Sequence, residues 1–287
     1  MFTAPKLQLI HTDEHGREQD VTPNLQLGTL EVKLASTAAE IDAAQSLRYK
    51  VFYEELGAVP TTDMLARKRD YDNMDQYCDH LLVVDNTKTN IHDAVVGTYR
   101  FIRKQHAAAN GSWYSAGEYD ISKITSQPDN ILEVGRSCVH ADYRTRYTMT
   151  LMWRAIAVYA AQHRIKTIFG CASFNGTDLD AHKNALSYLY YHHLAPPAVR
   201  MTCLPEHYND MRLLPEDQVD VRAAIAELPP LIKGYINVGC FVGDGAYIDW
   251  QFNTTDVAII CQTDRLTGRY AEHYKRNTAG MFGAKDE

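Results

Sequence analysis

Ile131-Leu132-Glu133-Val134-Gly135-Arg136-Ser137-Cys138-Val139-His140 is the stretch on which the reading of this sequence turns. Its apolar residues make a buried strand, yet it carries an acid and a base. Successive strand side chains point to opposite faces, so Glu133 and Arg136 should part company. Two charges in an apolar strand are costly unless they are paired or line a site. A bulge at Gly135 would insert one residue and bring both charges to one face. On these residues alone, a structural ion pair and a functional site both stay open.

Outward from this strand, the pattern is α/β. Thr29–Leu34 alternates and reads as a strand, and His80–Asp85 and Ala94–Ile102 read as two further strands. Thr37 with Glu40 three residues on is a capping box, and Ile41, Ala44, Leu47, Val51 and Phe52 continue it at helical spacing towards a stop near Gly57 and Pro60. Met149–Arg164 predicts a strong helix, Thr167–Ser173 a buried strand, and Asp178 a cap for the helix bearing Leu186 and Leu189. Pro-rich residues 196–230 read as an insertion with a short helix near Val221–Leu228. Ile232–Val238 and Val257–Gln262 then read as strands and Arg269–Arg276 as a closing helix. Residues 1–28 are a polar arm, 29–276 one domain, and 277–287 a flexible tail. Strands and helices in this order imply an α/β fold with antiparallel central strands.

Several function classes fall away on composition. The 287 residues carry a formal net charge of −7, so a general nucleic-acid binder is not expected. No apolar run approaches the about 20 residues a spanning helix needs. The N-terminus turns polar at once and shows no signal peptide. Cys78, Cys138, Cys171, Cys203, Cys240 and Cys261 form no close pair, which predicts reduced, buried thiols in a cytosolic protein. Cys171 has no apparent activating base and reads as inert. His182, His192 and His193 lack metal-ligand spacing, and no metal site is expected.

Four groups of residues remain. Arg48 adjoins the apolar stripe of the first helix, where an arginine is ordinarily solvated. Asp72 and Asp75 lie three apart in a loop, where carboxylates often only cap but can also take an ammonium. Glu133 and Arg136 form the third group. The stretch 136–166 holds six cations, including Arg144, Arg146 and Arg154, against the single acid Asp142, and suits an anionic partner.

Taken together, LRYKVFYEE, DYDNMDQYCDHLLVVD, VVGTYR and LEVGRSCV resemble the acyl-homoserine-lactone synthase branch of the GNAT superfamily. Arg48 and Phe52, Asp72 and Asp75, Arg100, and Glu133 with Arg136 fall at that branch's motif positions. The longer segments YRTRYTMTLMWRAIAVY, GCASFNGTD, LPPLIKGYINVGCFVGDGAYID and QFNTTDV are similar to bacterial ornithine-lipid N-acyltransferases, from about Thr29 to Tyr274. That resemblance implies a GNAT-like fold: a mixed central sheet with a bulged, splayed strand and helices on both faces. It also implies transfer of a 3-hydroxyacyl chain from acyl carrier protein to the α-amine of ornithine, giving lyso-ornithine lipid. Homoserine-lactone synthesis, acylation of glutamine or glycine, and a non-catalytic carrier-protein module stay open.

Glu133 is expected as the base, with backbone N–H groups at the bulge for the oxyanion. Arg100 or Arg136 would hold the substrate carboxylate, and Asp72 or Asp75 the distal ammonium. Coenzyme A-dependent relatives carry glycines after the bulged strand. Here the loop reads Tyr143-Arg-Thr-Arg-Tyr-Thr148, which favours a carrier-protein donor docked on Arg144, Arg146 and Arg154 and no further cofactor. Such proteins often also bear the label hemolysin, but no long amphipathic segment supports lysis by insertion. A cytoplasmic location is expected, with peripheral contact at the inner membrane face left open.

Overall fold

A computed structural model describes residues 9–12, 18–21 and 25–265, the first two segments as backbone only. In chain order the elements begin with β1 Leu9–Thr12, β2 Glu18–Val21, β3 Gln26–Leu27, β4 Leu30–Leu34, α1 Ala38–Tyr49, α2 Thr62–Arg67, β5 Asp79–Asp85, α3 Ile91–Ala94, β6 Val95–Arg103 and α4 Lys104–Asn110. They continue with β7 Tyr119–Asp120, α5 Ser122–Thr125, β8 Asn130–Val139, α6 Arg146–Gln162, β9 Ile165–Asn175, α7 Lys183–His193, β10 Thr202–Cys203, α8 Val221–Glu227, α9 Pro230–Val238, β11 Phe241–Asp249 and β12 Thr254–Gln262. The expected single domain over 29–276 comprises two compact units. The first draws on the described residues of Met1–Tyr114, Leu132–Ile165 and Asp249–Thr254, and the second on Ser115–Ile131, Lys166–Ile248 and those from Thr255 onward.

The first unit is an antiparallel sheet in the order β3-β4-β5-β6-β8, with a separate β1-β2 pair. The expected arm therefore contains paired strands, and its last residues already join the sheet. The capping box forms as read: Glu40 N–H donates to Thr37 Oγ1 at 3.2 Å, and the Glu40 carboxylate accepts from Thr37 N–H. Ala43, Ala44 and Leu47 of α1 pack on Leu82, Val84 and Val95. Tyr159 of α6 packs its ring against Phe101 at a tilt, 4.7 Å between centroids, so the two helices cover opposite faces.

The second unit is mixed. β10 runs parallel to β11 and antiparallel to β7. Buried Tyr119 donates to the Gly245 and Asp256 carbonyls at 3.3 and 2.9 Å. Ile232–Val238, expected as a strand, belongs instead to helix α9. Pro230 sits at its first turn and Gly239 closes it at φ 94°, while Ile232, Tyr235 and Ile236 are buried at helical spacing. The strand that does exist, β11, is glycine-rich. A Cβ at Gly243 would lie 2.8 Å from both the Ala258 Cβ and the Met201 carbonyl oxygen, so close packing dictates glycine there.

One cysteine expectation needs correcting. The turn after α9 and the end of β12 bring Cys240 and Cys261 together as a disulfide, their Cα atoms 4.4 Å apart. Cys78, Cys138, Cys171 and Cys203 remain thiols. The expected helix at Arg269–Arg276 and the tail 277–287 lie outside the described residues.

Candidate active site

The first unit gathers the candidate charges on the α1 side of its sheet. At the centre is β8. Its pairing with β6 runs Thr98 to Cys138 but Arg100 to Gly135, so Arg136 and Ser137 fall together opposite Tyr99. A bulge exists, but one residue beyond the expected Gly135: Arg136 itself takes the left-handed backbone, at φ 52°. A non-glycine residue there is strained, and such strain concentrates at functional sites. The extra residue turns Arg136 to the face that carries Arg100, as both guanidiniums reach Asp72.

Beneath this surface lies a sealed ion cluster. Arg48 is fully buried. Its Nε donates to Asp70 Oδ2 at 2.7 Å, and its Nη2 donates to the Asp70 carbonyl at 2.7 Å and to Asp75 Oδ2 at 2.6 Å. Asp75 also accepts from Gln45 at 3.0 Å and from Arg100 at 3.1 Å. Burial alone would raise the Asp75 carboxyl, but Arg48 and Arg100 outweigh it and hold it below the usual range. Asp70 is held down likewise, by Arg136 and Arg48 against its burial. His80 Nε2 donates to the Asp75 carbonyl at 2.8 Å, and burial followed by Arg48 keeps the imidazole neutral.

Above it, the contacts loosen. Asp72 is 26% exposed against 6% for Asp75. It accepts from Arg100 at 2.6 Å and from the Met74 N–H at 2.9 Å, and lies 3.5 Å from Arg136. Arg136 donates to the Tyr114 hydroxyl at 3.2 Å and is 3.4 Å from Asp70. Its guanidinium stands 4.8 Å from the Tyr114 ring centre and 4.4 Å from that of Phe252. Glu133 is buried and accepts the Tyr114 backbone N–H at 2.9 Å. A Cβ built at Gly135 meets nothing within 4 Å, so the strand backbone beside Glu133 is open to a ligand.

Local helix geometry supplies the apolar wall. After α1 the chain widens into a π-helix, Lys50–Glu55, a distortion common at functional sites. It carries Tyr53, whose hydroxyl donates to Asp70 at 3.0 Å, and Phe52, which meets Phe252 edge-on at 5.8 Å.

The structure thus brings together Arg48, Phe52, Asp72, Asp75, Arg100, Glu133 and Arg136. The loop cations lie elsewhere in this unit. Arg144 is tied to Glu55 and, at 3.0 Å, to the Val139 carbonyl; Arg146 is exposed in the first turn of α6, and Arg154 is half-buried. Sequence reasoning missed Asp70, Tyr114 and Phe252. Asp70 stands only two residues before Asp72 and was legible as a third acid, whereas nothing local marks the other two. Cys171, in the second unit, lies 3.5 Å from the Ser115 hydroxyl, and burial drives its thiol far above the reactive range.

A sheet with a bulged strand carrying Glu-x-x-Arg, with helices on both faces, defines a GNAT-type acyltransferase, and residues 47–154 match the acetyltransferase (GNAT) domain family. The chain is 44% identical over 252 residues to the L-ornithine N(alpha)-acyltransferase of Agrobacterium fabrum, covering 87% of this chain and 86% of that one. It is 42% identical over 262 residues to that of Rhizobium meliloti, covering 90% and 88%. The chain therefore belongs to the L-ornithine N(alpha)-acyltransferase family. Among solved structures it is similar to FeeM, an N-acyl amino acid synthase from uncultured soil microbes, at TM-score 0.47 and 10% identity, covering 84% of this chain and 94% of that one.

Proposed function

We propose that this chain acylates the α-amine of L-ornithine with a 3-hydroxyacyl group from acyl carrier protein, forming lyso-ornithine lipid. The observation that carries the reading is the charge content of the site. Three guanidiniums, of Arg48, Arg100 and Arg136, face four carboxylates, of Asp70, Asp72, Asp75 and Glu133. One acid is in excess, which suits an amino acid with one extra ammonium.

The two open groups divide the acceptor between them. Arg136, with long contacts to Asp70 and Asp72, takes the ornithine carboxylate more readily than Arg100, which is sealed at 2.6 Å. Asp72, the more exposed acid, takes the distal ammonium, while Asp75 is committed to Arg48 and Arg100.

Chemistry then needs three events. The α-ammonium gives a proton to Glu133, whose carboxylate the Tyr114 N–H holds in place. The freed nitrogen lone pair attacks the thioester carbonyl carbon, and backbone N–H groups at the Arg136–Ser137 bulge face the growing oxyanion. The C–S bond breaks as the attacking nitrogen, now part of the amide, gives up a second proton, and the leaving thiolate takes that proton to depart as the carrier's phosphopantetheine thiol. A thioester is already activated, so the reading calls for no metal and no resident cofactor. Arg144, Arg146 and Arg154 are the proposed carrier-protein contacts. The site of action is the cytoplasm, at the inner face of the membrane.

Purified chain, acyl carrier protein loaded with a 3-hydroxyacyl group, and ornithine should give N-acylornithine by mass spectrometry. Norvaline, which lacks only the distal amine, should react much more slowly. Equal use of norvaline would overturn the acceptor assignment, and equal use of acyl-coenzyme A the donor assignment.

A further inference from the structure

Three segments of the first unit build one apolar cluster and turn their neighbours outward. Ala58 and Met64 are buried in it with Tyr49 and Tyr53, and Phe252 packs against it. Beside them, Val59, Leu65 and Trp250 are 60%, 57% and 72% exposed, and Leu56 39%. The first three are the most exposed of the large apolar side chains among the described residues. The segments are joined directly: the Val59 N–H donates to the Gln251 carbonyl at 2.6 Å.

We infer that this rim is a membrane-docking surface, and that its occupant is the headgroup region of an anionic bilayer. Three observations favour that occupant. First, the rim is continuous with the site: Phe252, two residues from Trp250, covers Arg136 at 4.4 Å. Second, Arg67 and Lys68 stand exposed at its border, at the end and the C-cap of the helix that carries Leu65. Their contacts with Asp63 at 3.5 Å and Glu54 at 3.4 Å are long and open to solvent, so such pairs contribute little and exchange readily for lipid phosphates. Third, an indole among aliphatic side chains and cations is the composition that settles at a membrane–water boundary.

This inference rests on the proposed function in one respect: an acylated amino acid is an amphiphile and needs an exit into lipid. A rim joined to the site by one aromatic residue lets the acyl chain pass to the bilayer without crossing water.

The test is flotation of the full chain with phosphatidylglycerol–phosphatidylethanolamine vesicles and with phosphatidylcholine vesicles. Wild type should float with the anionic vesicles, less so at high salt. Brominated lipid chains should quench its fluorescence, and W250F should lose most of that quenching. V59S/L65S/W250A should partition at least about tenfold more weakly, given the apolar area withdrawn. R67E/K68E should lose the preference for anionic lipid. Both variants should keep wild-type turnover of soluble acyl carrier protein and ornithine, which also shows that they fold. The inference is overturned if wild type ignores vesicles, if the triple variant floats equally, or if the triple variant instead abolishes carrier-protein binding or a dimer in solution. If ornithine is never acylated but the triple variant still loses flotation, the proposed function fails and the surface stands.

Discussion

Asp75 and Asp72 lie three residues apart on one loop and touch the same arginine, yet they sit in different environments. Asp75 accepts from Arg48, Arg100 and Gln45 and is closed from solvent. Asp72 is partly exposed and shares a longer contact with Arg136. The lower set, Arg48 with Asp70 and Asp75, holds the loop against α1. The upper set is Asp72 with Arg136, both partly exposed, beside buried Glu133 and the uncovered strand backbone at Gly135. One charge network therefore does two jobs. What separates Asp75 from Asp72 is solvent: Asp75 depends on its buried partners, whereas at Asp72 and Arg136 water or substrate can substitute.

The largest effect should come from breaking the sealed half. Asp70→Asn leaves Arg48 buried with one carboxylate fewer, and removing one partner of a buried pair costs about 3–5 kcal/mol. Urea unfolding should show that loss; a change below about 1 kcal/mol would mean that the two halves do not differ. The same half sets the acid limit. Asp75 has its carboxyl lowered in the fold, so its contribution is complete above the ordinary carboxylate value of about 3.9. Below that pH the unfolded chain takes up the proton first, and stability falls as pH drops towards the lowered native value. Asp75→Asn should flatten that acid limb in unfolding curves measured between neutral pH and the acid transition.

In the open half the losses should fall on turnover. Glu133→Gln keeps shape and removes basicity, which should lower kcat by about 10²–10⁴ with the unfolding midpoint retained. An unaltered pH–rate profile would remove Glu133 from the role of base. Asp72→Asn should reduce kcat/KM for ornithine about ten- to a hundredfold, the scale of one hydrogen bond to a charged group, and leave norvaline nearly untouched. Equal losses for both acceptors would return Asp72 to the structural set. The smallest effect on stability should be that of Gly135→Ala, where the new methyl meets no atom within 4 Å. A fall in acyl-transfer rate without loss of stability would place the acyl donor against that strand.

Local patterns determined much of this protein. The capping box of α1, the alternation of β4, the apolar runs of β5 and β6, and the length of α6 follow from hydrogen bonding and periodicity within a few residues, and the structure matches them. Two charges in an apolar strand pointed to β8 for the same reason: such a cost needs a partner. The α9 helix was also written locally, in Pro230 and Gly239, but its apolar run masked those signals. Only the tertiary structure decided which acid is sealed and which is open. Burial and pairing depend on residues far apart in the chain, such as Arg48 and Asp75 or Arg136 and Phe252. The Cys240–Cys261 contact is of that kind, and so is the role of Tyr114 under Glu133 and Arg136. No spacing rule reaches across 21 residues of strand and turn, because the distance between two side chains there is set by how the elements pack and not by how many residues separate them.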